Sequence, residues 1–235
     1  MTVGGDEEGK QRAAAHAAGF IRDGMVLGLG TGSTVRYLLD EISERLKQGE
    51  WREIVGVATS EDTARRARAL DIPIGTLAEF PELDLTIDGA DEVDPRLEVI
   101  KGLGGALMRE KIVASVSREL VIIVDESKLV TRLGTKAPLP VEIEPFAAPV
   151  LVPFFREMGV EPALRRDAAG EPFHTDGGNL IFDCRFEGGI EDPPALQILL
   201  EGRPGILETG LFIGMARRVV VASPDGVRVL SRGDE

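Results

Sequence analysis

Three times this chain runs from a short apolar stretch into a tight polar turn, and the first two times sequence of helical period follows. Met25-Val-Leu-Gly-Leu29 leads through Gly28-Leu-Gly-Thr-Gly-Ser-Thr34 into residues 35–46, where Leu38, Leu39, Ile42 and Leu46 fall at core spacing. The run holding Leu85 and Ile87 ends at Asp88-Gly-Ala-Asp91, and a glycine-rich turn then precedes a helix expected over 106–116. Leu120-Val-Ile-Ile-Val124 ends in Asp125-Glu-Ser-Lys128. Helices over 6–22 and 61–70 and a strand over 53–58 fill the spaces between. Short apolar runs alternating with helices require a mostly parallel sheet with helices on both faces, a Rossmann-like α/β architecture. Such sheets bind ligands beyond the carboxyl ends of their strands, so function is to be sought in the three polar turns.

The texture changes at Lys136-Ala-Pro-Leu-Pro-Val-Glu-Ile143. From there to about Pro204, Pro-bearing short strands alternate with helices over 146–158 and 194–200, which reads as a smaller α+β unit of ferredoxin-like type. Short apolar runs within 206–232 are expected to return to the first domain. The expected domains are therefore 1–135 with 206–235, and 136–205. A chain of 235 residues can bury a full core in this arrangement.

Charge and composition exclude several function classes. A formal charge of −13 argues against non-specific nucleic-acid binding. No apolar run approaches the roughly 20 residues that cross a bilayer, and the N-terminus is acidic where a signal peptide is basic, so a cytoplasmic location is expected. Cys184 is the only cysteine, which removes any internal disulfide or cysteine-based zinc site, and it reads as strand filler. The histidines, His16 and His174, are unremarkably placed. In so acidic a chain an anionic ligand needs local positive charge, and Lys10, Lys101 and Lys128 fall in or near motifs.

The first polar turn has the strand–glycine–helix form in which backbone N–H groups and a helix N-terminus cradle phosphate, with hydroxyls of Thr31, Ser33 and Thr34 as added donors. It is not a Walker loop, because no Gly-Lys-Ser/Thr follows. It departs from the dinucleotide fingerprint, with Ser33 at the third-glycine position and no acid at the end of the second strand. A monophosphate cradle is the leading reading, beside a purely structural turn. The second polar turn, Asp84-Leu-Thr-Ile-Asp88-Gly-Ala-Asp91-Glu92-Val-Asp94, continues into Lys101-Gly-Leu-Gly-Gly-Ala-Leu-Met-Arg-Glu110-Lys111. Its acids do not have calcium-loop spacing. An acidic turn alone is most often a solvated loop. Two carboxylates at a strand end, a lysine, glycines and a further carboxylate in a helix's first turn point instead to proton chemistry on a small polar substrate.

Taken together, the glycine turn, Asp88-Gly-Ala-Asp91-Glu92, Lys101-Gly-x-Gly-Gly-Ala-x-x-Arg-Glu110-Lys111, Lys136-x-Pro-Leu-Pro-Val-Glu-Ile143, Thr175-Asp-Gly-Gly-Asn179 and Gly210-Leu-Phe212 resemble the ribose-5-phosphate isomerase family, type A, in that family's order and over nearly the whole chain. Two departures stand out: Leu103 where another Gly is usual, and Gly178 where Asn is frequent in Thr-Asp-x-Gly-Asn. The resemblance implies an aldose–ketose isomerase of the non-oxidative pentose phosphate branch. It would interconvert D-ribose 5-phosphate and D-ribulose 5-phosphate through an enediolate, without metal or other cofactor. It further implies Glu110 as catalytic base and Asp88 and Asp91 as carboxylates that bind sugar hydroxyls and assist ring opening. Gly89 and Ala90 belong to the same turn. Lys101, with Gly102, Leu103 and Gly104, would hold substrate and support negative charge. Thr31, Gly32, Ser33 and Thr34 would take the phosphate, with Lys128 and, by spacing only, Lys10. A homodimer or homotetramer is also implied. The rival readings are another phosphosugar isomerase on a similar sheet and a non-catalytic phosphosugar sensor; the latter predicts binding without turnover.

Overall fold

The computed structural model describes residues 4–233, with side chains from residue 7 onward; the ends of the expected first domain, 1–3 and 234–235, lie outside the described residues. In chain order the elements begin with α1 (Gly4–Ala18), β1 (Val26–Leu29), α2 (Ser33–Lys47), β2 (Val55–Ala58), α3 (Glu61–Ala69) and β3 (Leu85–Asp88). There follow β4 (Glu92–Val93), β5 (Val99–Ile100), α4 (Leu107–Ser115), β6 (Leu120–Asp125) and β7 (Leu139–Ile143). The remainder is α5 (Ala148–Glu157), β8 (Pro162–Leu164), β9 (Leu180–Cys184), α6 (Pro193–Glu201), β10 (Ile206–Thr209), β11 (Leu211–Phe212), β12 (Ala216–Ser223) and β13 (Gly226–Ser231). Among the described residues no helix is long and apolar enough to cross a membrane.

The chain divides into two compact units. The first takes the chain up to Ala90, Arg109–Leu129, and the chain from Gly214 onward. Its 6-stranded sheet runs β13-β12-β6-β3-β1-β2, parallel except for the hairpin edge β13. Read from β2 inward the order is second, first, third, so the direction of winding reverses between β1 and β3, the switch point at which such sheets open a crevice. Side chains alternate across the sheet. Leu27, Leu29, Leu85, Ile87, Val121 and Ile123 join α1 and α2 in one core, whereas Val57 packs with Val113 of α4 in another. Helix α1 buries a face of alanines, Ala13, Ala14, Ala17 and Ala18, and leaves His16 exposed.

The second unit comprises Asp91–Met108 and Val130–Ile213. Its 4-stranded antiparallel sheet has the order β10-β7-β9-β8. With α5 and α6 between the strands, this is the β-α-β-β-α-β pattern of the ferredoxin-like fold. Beside it lies a 3-stranded sheet, β11-β5-β4. Leu139, Val141, Ile143, Leu151, Phe155, Phe182 and Leu200 form the core, which also takes in Ile100 and Leu211. Cys184 is fully buried there; loss of hydration pushes its thiol up, and Asp183 adds to the shift. That matches strand filler rather than a reactive thiol.

The boundaries differ from the expected 135/136 and 205/206. Ile206–Thr209 pairs with β7 rather than returning to the first sheet, and Leu211–Phe212 pairs with β5. Residues 91–108 are drawn into the second unit by the same short sheet. Strands of two residues are too short to announce themselves by alternation, so β4 reads as part of the acidic turn and the partner of β11 cannot be told from the sequence.

Candidate active site

In the first unit the candidate groups Thr31–Thr34 and Asp88 stand at the carboxyl ends of β1 and β3. Gly28 allows α4 to approach β1: a Cβ there would lie 1.8 Å from Thr86 Oγ1 and 2.7 Å from Val113 Cγ1. Gly30 plays the same part toward the next strand, since its Cβ would lie 2.2 Å from the Asp88 carboxyl. The turn is closed by that carboxyl: Asp88 Oδ1 accepts the N–H of Thr31 at 3.0 Å and of Gly89 at 2.7 Å. Gly32, at φ +126°, then starts α2 in a conformation that other residues avoid. Thr34 is buried, whereas Gly32 and Ser33 are exposed and Thr31 is half-buried.

Behind Thr31 stands a hydroxyl cluster. Its Oγ1 lies 2.7 Å from Thr59 Oγ1 and donates to Ser60 Oγ at 2.9 Å, and Thr63 Oγ1 donates to the carbonyl of Gly30 at 2.8 Å. Ser60 also caps α3 by accepting the Thr63 N–H. The end of β2 therefore carries no ribose-binding acid but does brace the glycine turn.

Glu110 sits in the first turn of α4 and is buried at 3% exposure. The end of α4 lies near the start of β3, because Leu83 N–H bonds Val116 O and Thr86 Oγ1 lies 2.6 Å from Ser117 Oγ. The helix thus runs antiparallel to the strands, and its first turn lies toward their carboxyl edge. Glu110 precedes Val113 by three residues, so it shares the face of α4 that packs on the sheet. Its neighbour Arg109 points outward to Glu61 at 2.8 Å, and that contact lowers the Glu61 pKa. Lys128, half-buried, stands in the single turn after β6, where Asp125 accepts the Ser127 N–H. Lys10, half-buried on α1, follows Gly9, whose Cβ would meet Asp125 Cβ at 3.8 Å. Both lysines thus belong to the carboxyl end of β6.

In the second unit the acidic turn is not a solvated loop. Glu92 is fully buried, and its carboxylate accepts the N–H groups of Gly134 (2.5 Å), Lys136 (2.5 Å) and Ala137 (2.6 Å). Asp94 accepts from Arg96 and Glu98 N–H and fixes the turn in which Leu97 takes φ +58°. These two acids build the fold. Asp91 is half-buried, and its Oδ2 accepts the Leu103 N–H at 2.9 Å, tying it to the glycine loop.

Lys101 is buried at 3% exposure with its Nζ 5.4 Å from the ring centre of Phe212. Its N–H donates to Gly210 O, and a Cβ on Gly210 would strike Lys101 O at 2.3 Å, which accounts for the Gly-Leu-Phe segment. Gly102 (φ +105°) and Gly105 (φ +81°) bracket a turn closed by Gly105 N–H to Gly102 O. Leu103 and Gly104 form its exposed tip. Thr175 and Asn179 both donate to Glu142 at 2.9 Å, so the Pro-Val-Glu-Ile and Thr-Asp-Gly-Gly-Asn segments are one buried polar knot. Counting along Thr-Asp-x-Gly-Asn places the variable position at Gly177, not Gly178. Gly178 has φ +80°, the left-handed conformation the motif's own glycine provides.

Sequence reasoning passed over Arg165, Asp183 and Phe173. Arg165 Nη1 donates to Gly102 O at 2.8 Å and Leu103 O at 3.1 Å, while Asp183 grips the same guanidinium. Nothing near Arg165 in the sequence signals this, since the two carbonyls that it binds lie 63 and 62 residues away.

The sequence pattern of the family "Ribose 5-phosphate isomerase A (phosphoriboisomerase A)" matches residues 55–226. The ribose-5-phosphate isomerase A of Chloroflexus aurantiacus is 50% identical over 234 residues, covering 100% of this chain and 98% of its own. That of Roseiflexus sp. (strain RS-1) is 50% identical over 218 residues, 93% of each chain. Among solved structures, a D-ribose-5-phosphate isomerase in complex with phospho-erythronic acid superposes with a TM-score of 0.94 at 41% identity, over 97% of this chain and 99% of that one.

Proposed function

The chain belongs to the ribose 5-phosphate isomerase A family and interconverts ribose 5-phosphate and ribulose 5-phosphate; from that premise we propose that Glu110 is the base that carries the proton. In the open-chain aldose the proton leaves C2, and the electron pair moves into an enediolate spanning C1 and C2. Return of the proton at C1, with transfer of the hydroxyl proton between the two oxygens, gives the ketose. No electron leaves the substrate, so the step calls for neither a redox group nor a nucleotide, and we assign no metal to it.

Each remaining group takes a role from its chemistry. Asp88 and Asp91 accept hydrogen bonds from sugar hydroxyls and assist ring opening, within the turn that includes Gly89 and Ala90. Lys101 and the Gly102–Leu103–Gly104 backbone meet the negative charge that develops on the enediolate oxygens. The phosphate goes to Thr31, Gly32, Ser33 and Thr34 at the start of α2, with Lys128 and Lys10 supplying positive charge. The observation that carries this reading is the burial of Glu110 at the first turn of a helix whose position is fixed by Gly28. Glu110→Gln keeps shape but cannot accept the proton, so turnover should fall by at least about 10²-fold with the fold intact. Near-normal turnover in a folded variant would exclude Glu110. The wild-type rate should be unchanged by a chelator.

We further propose a cytoplasmic homodimer or homotetramer that binds no nucleic acid, the last in line with the net charge of −13. Phe146 (90% exposed), Val150, Ile198 and Leu199 support an assembly that covers the second unit's helices. Sedimentation of the protein as a monomer at micromolar concentration would overturn that assignment.

A further inference from the structure

We infer that Arg165 is a positioning residue for the reaction: from behind the Gly102–Gly105 turn it holds the Leu103 amide on Asp91 and orients the Gly104 amide toward the enediolate. One Nη1 atom donates to two successive carbonyls, Gly102 O at 2.8 Å and Leu103 O at 3.1 Å. In a trans peptide the N–H points opposite to the C=O. Drawing both carbonyls to the guanidinium therefore turns the N–H groups of Leu103 and Gly104 away from it. The first of these meets Asp91 Oδ2 at 2.9 Å, which fixes the side on which the amides emerge as the side of a proposed sugar-binding carboxylate.

The guanidinium is itself held fast. Asp183 on β9 accepts from Nε at 2.9 Å and also from Nη2, a bidentate grip that fixes the plane of the fork. The Arg165 carbon Cζ lies 5.9 Å from the ring centre of Phe173, and that ring occupies the space where a Cβ of Gly105 would stand, 2.5 Å from Phe173 Cζ. The Arg165 side chain is only 11% exposed, so its charge acts on the turn with little screening. A cation bonded to the carbonyl side of a peptide also polarises the N–H on the other side and strengthens it as a donor. A lysine could reach one carbonyl but could not span two while gripping a carboxylate in the same plane.

The inference rests on the reading that the 102–104 backbone supports negative charge. Because that charge exists only between substrate and product, loss of Arg165 should appear in kcat rather than KM. For Arg165→Ala we expect kcat to fall by about 10- to 100-fold, below the cost of deleting an oxyanion donor outright, with KM changed less than about threefold. Affinity for phospho-erythronic acid, whose carboxylate resembles the planar enediolate, should fall in step with kcat. Added guanidinium ion at millimolar levels should restore part of the rate. Arg165→Lys and Asp183→Asn, which disturb the core least, should show smaller losses of the same kind and keep the test open if Arg165→Ala does not fold. An unchanged kcat, a rise in KM alone, or analogue binding that stays at the wild-type level in folded variants would overturn the assignment. Wild-type turnover and its dependence on Glu110 would stand in that event, so failure here is distinguishable from failure of the isomerase reading.

Discussion

At the scale of single residues, the acidic turn shows how one motif divides its work. Asp88, Asp91, Glu92 and Asp94 are alike in sequence, yet Glu92 and Asp94 spend their oxygens on backbone N–H groups of the fold. Asp88 closes the glycine turn and Asp91 holds the Leu103 amide. No spacing rule separates these roles; the partner N–H groups of Glu92, at 134–137, are brought to it by the fold. The glycines are also unequal. Gly30→Ala would force a methyl to within 2.2 Å of the Asp88 carboxyl. It should cost about 1–3 kcal/mol by overpacking and lower kcat/KM by displacing Asp88. Melting and steady-state kinetics on the same preparation check both, and a fully active, equally stable variant would refute the account of that turn. Leu103 departs from the family's glycine without strain, being 43% exposed and outside the left-handed region that, among non-glycines, holds only Asp71 and Leu97 of the described residues. Leu103→Gly should therefore lower stability by under about 1 kcal/mol, through chain entropy, and leave KM in place.

At the scale of elements, the first unit was legible because each of its strands ends in a recognisable turn. The strand–turn–helix runs at Val26–Lys47 and Leu120–Lys128 lie where periodicity places them. The candidate site was legible through its carboxylates and glycines, and it was illegible wherever a residue acts across the sheet. The Thr59–Ser60–Thr63 hydroxyls behind Thr31 and the Arg165–Asp183 pair behind Gly102 have no local pattern, because their partners come from other elements. The three-stranded sheet was missed for a related reason, since two-residue strands exist only by virtue of their pairing. One element depends on a single buried acid. Glu92 receives the N–H groups of 134, 136 and 137, so Glu92→Ala would leave the buried Ala137 donor and two partly buried ones without this acceptor. At about 1–3 kcal/mol for the buried donor and less for the others, the second unit should be destabilised and melt before the first. A calorimetric trace with one unchanged, single transition would contradict this.

At the scale of the whole molecule, charge is the dominant imbalance: 40 acidic side chains against 27 basic ones give −13. Much of the basic complement is already committed locally, as in Arg36–Asp62, Arg66–Asp40, Arg109–Glu61, Arg156–Glu161 and Arg118–Asp84. These pairs are exposed, and exposed pairs contribute little. Their carboxylates show the expected direction, with Glu61 and Glu161 held below the usual range by Arg109 and Arg156, as Asp23 is by the N–H groups of Glu53 and Arg52. A depressed folded pKa contributes stability above the unfolded value and loses it as pH falls through the folded one. These groups therefore steepen the acid limb below the usual carboxylate range and add no pH dependence near neutrality. At neutral pH the excess carboxylates are the larger effect, and they repel one another over distances that salt can screen. The Debye length falls to roughly 10 Å at 0.1 M and about 3 Å at 1 M, which removes long-range repulsion before it removes contacts at 3 Å. Stability should accordingly rise with NaCl toward the molar range. Phosphate attraction to Lys128 and Lys10 is screened as well, so KM should rise over the same series, but modestly, because both lysines are half-buried. Thermal midpoints from near-zero salt to 1 M, with KM measured at each point, test the pair of trends. A midpoint that stays flat or falls would show that the arginine pairs, rather than the net charge, set the electrostatics of this fold.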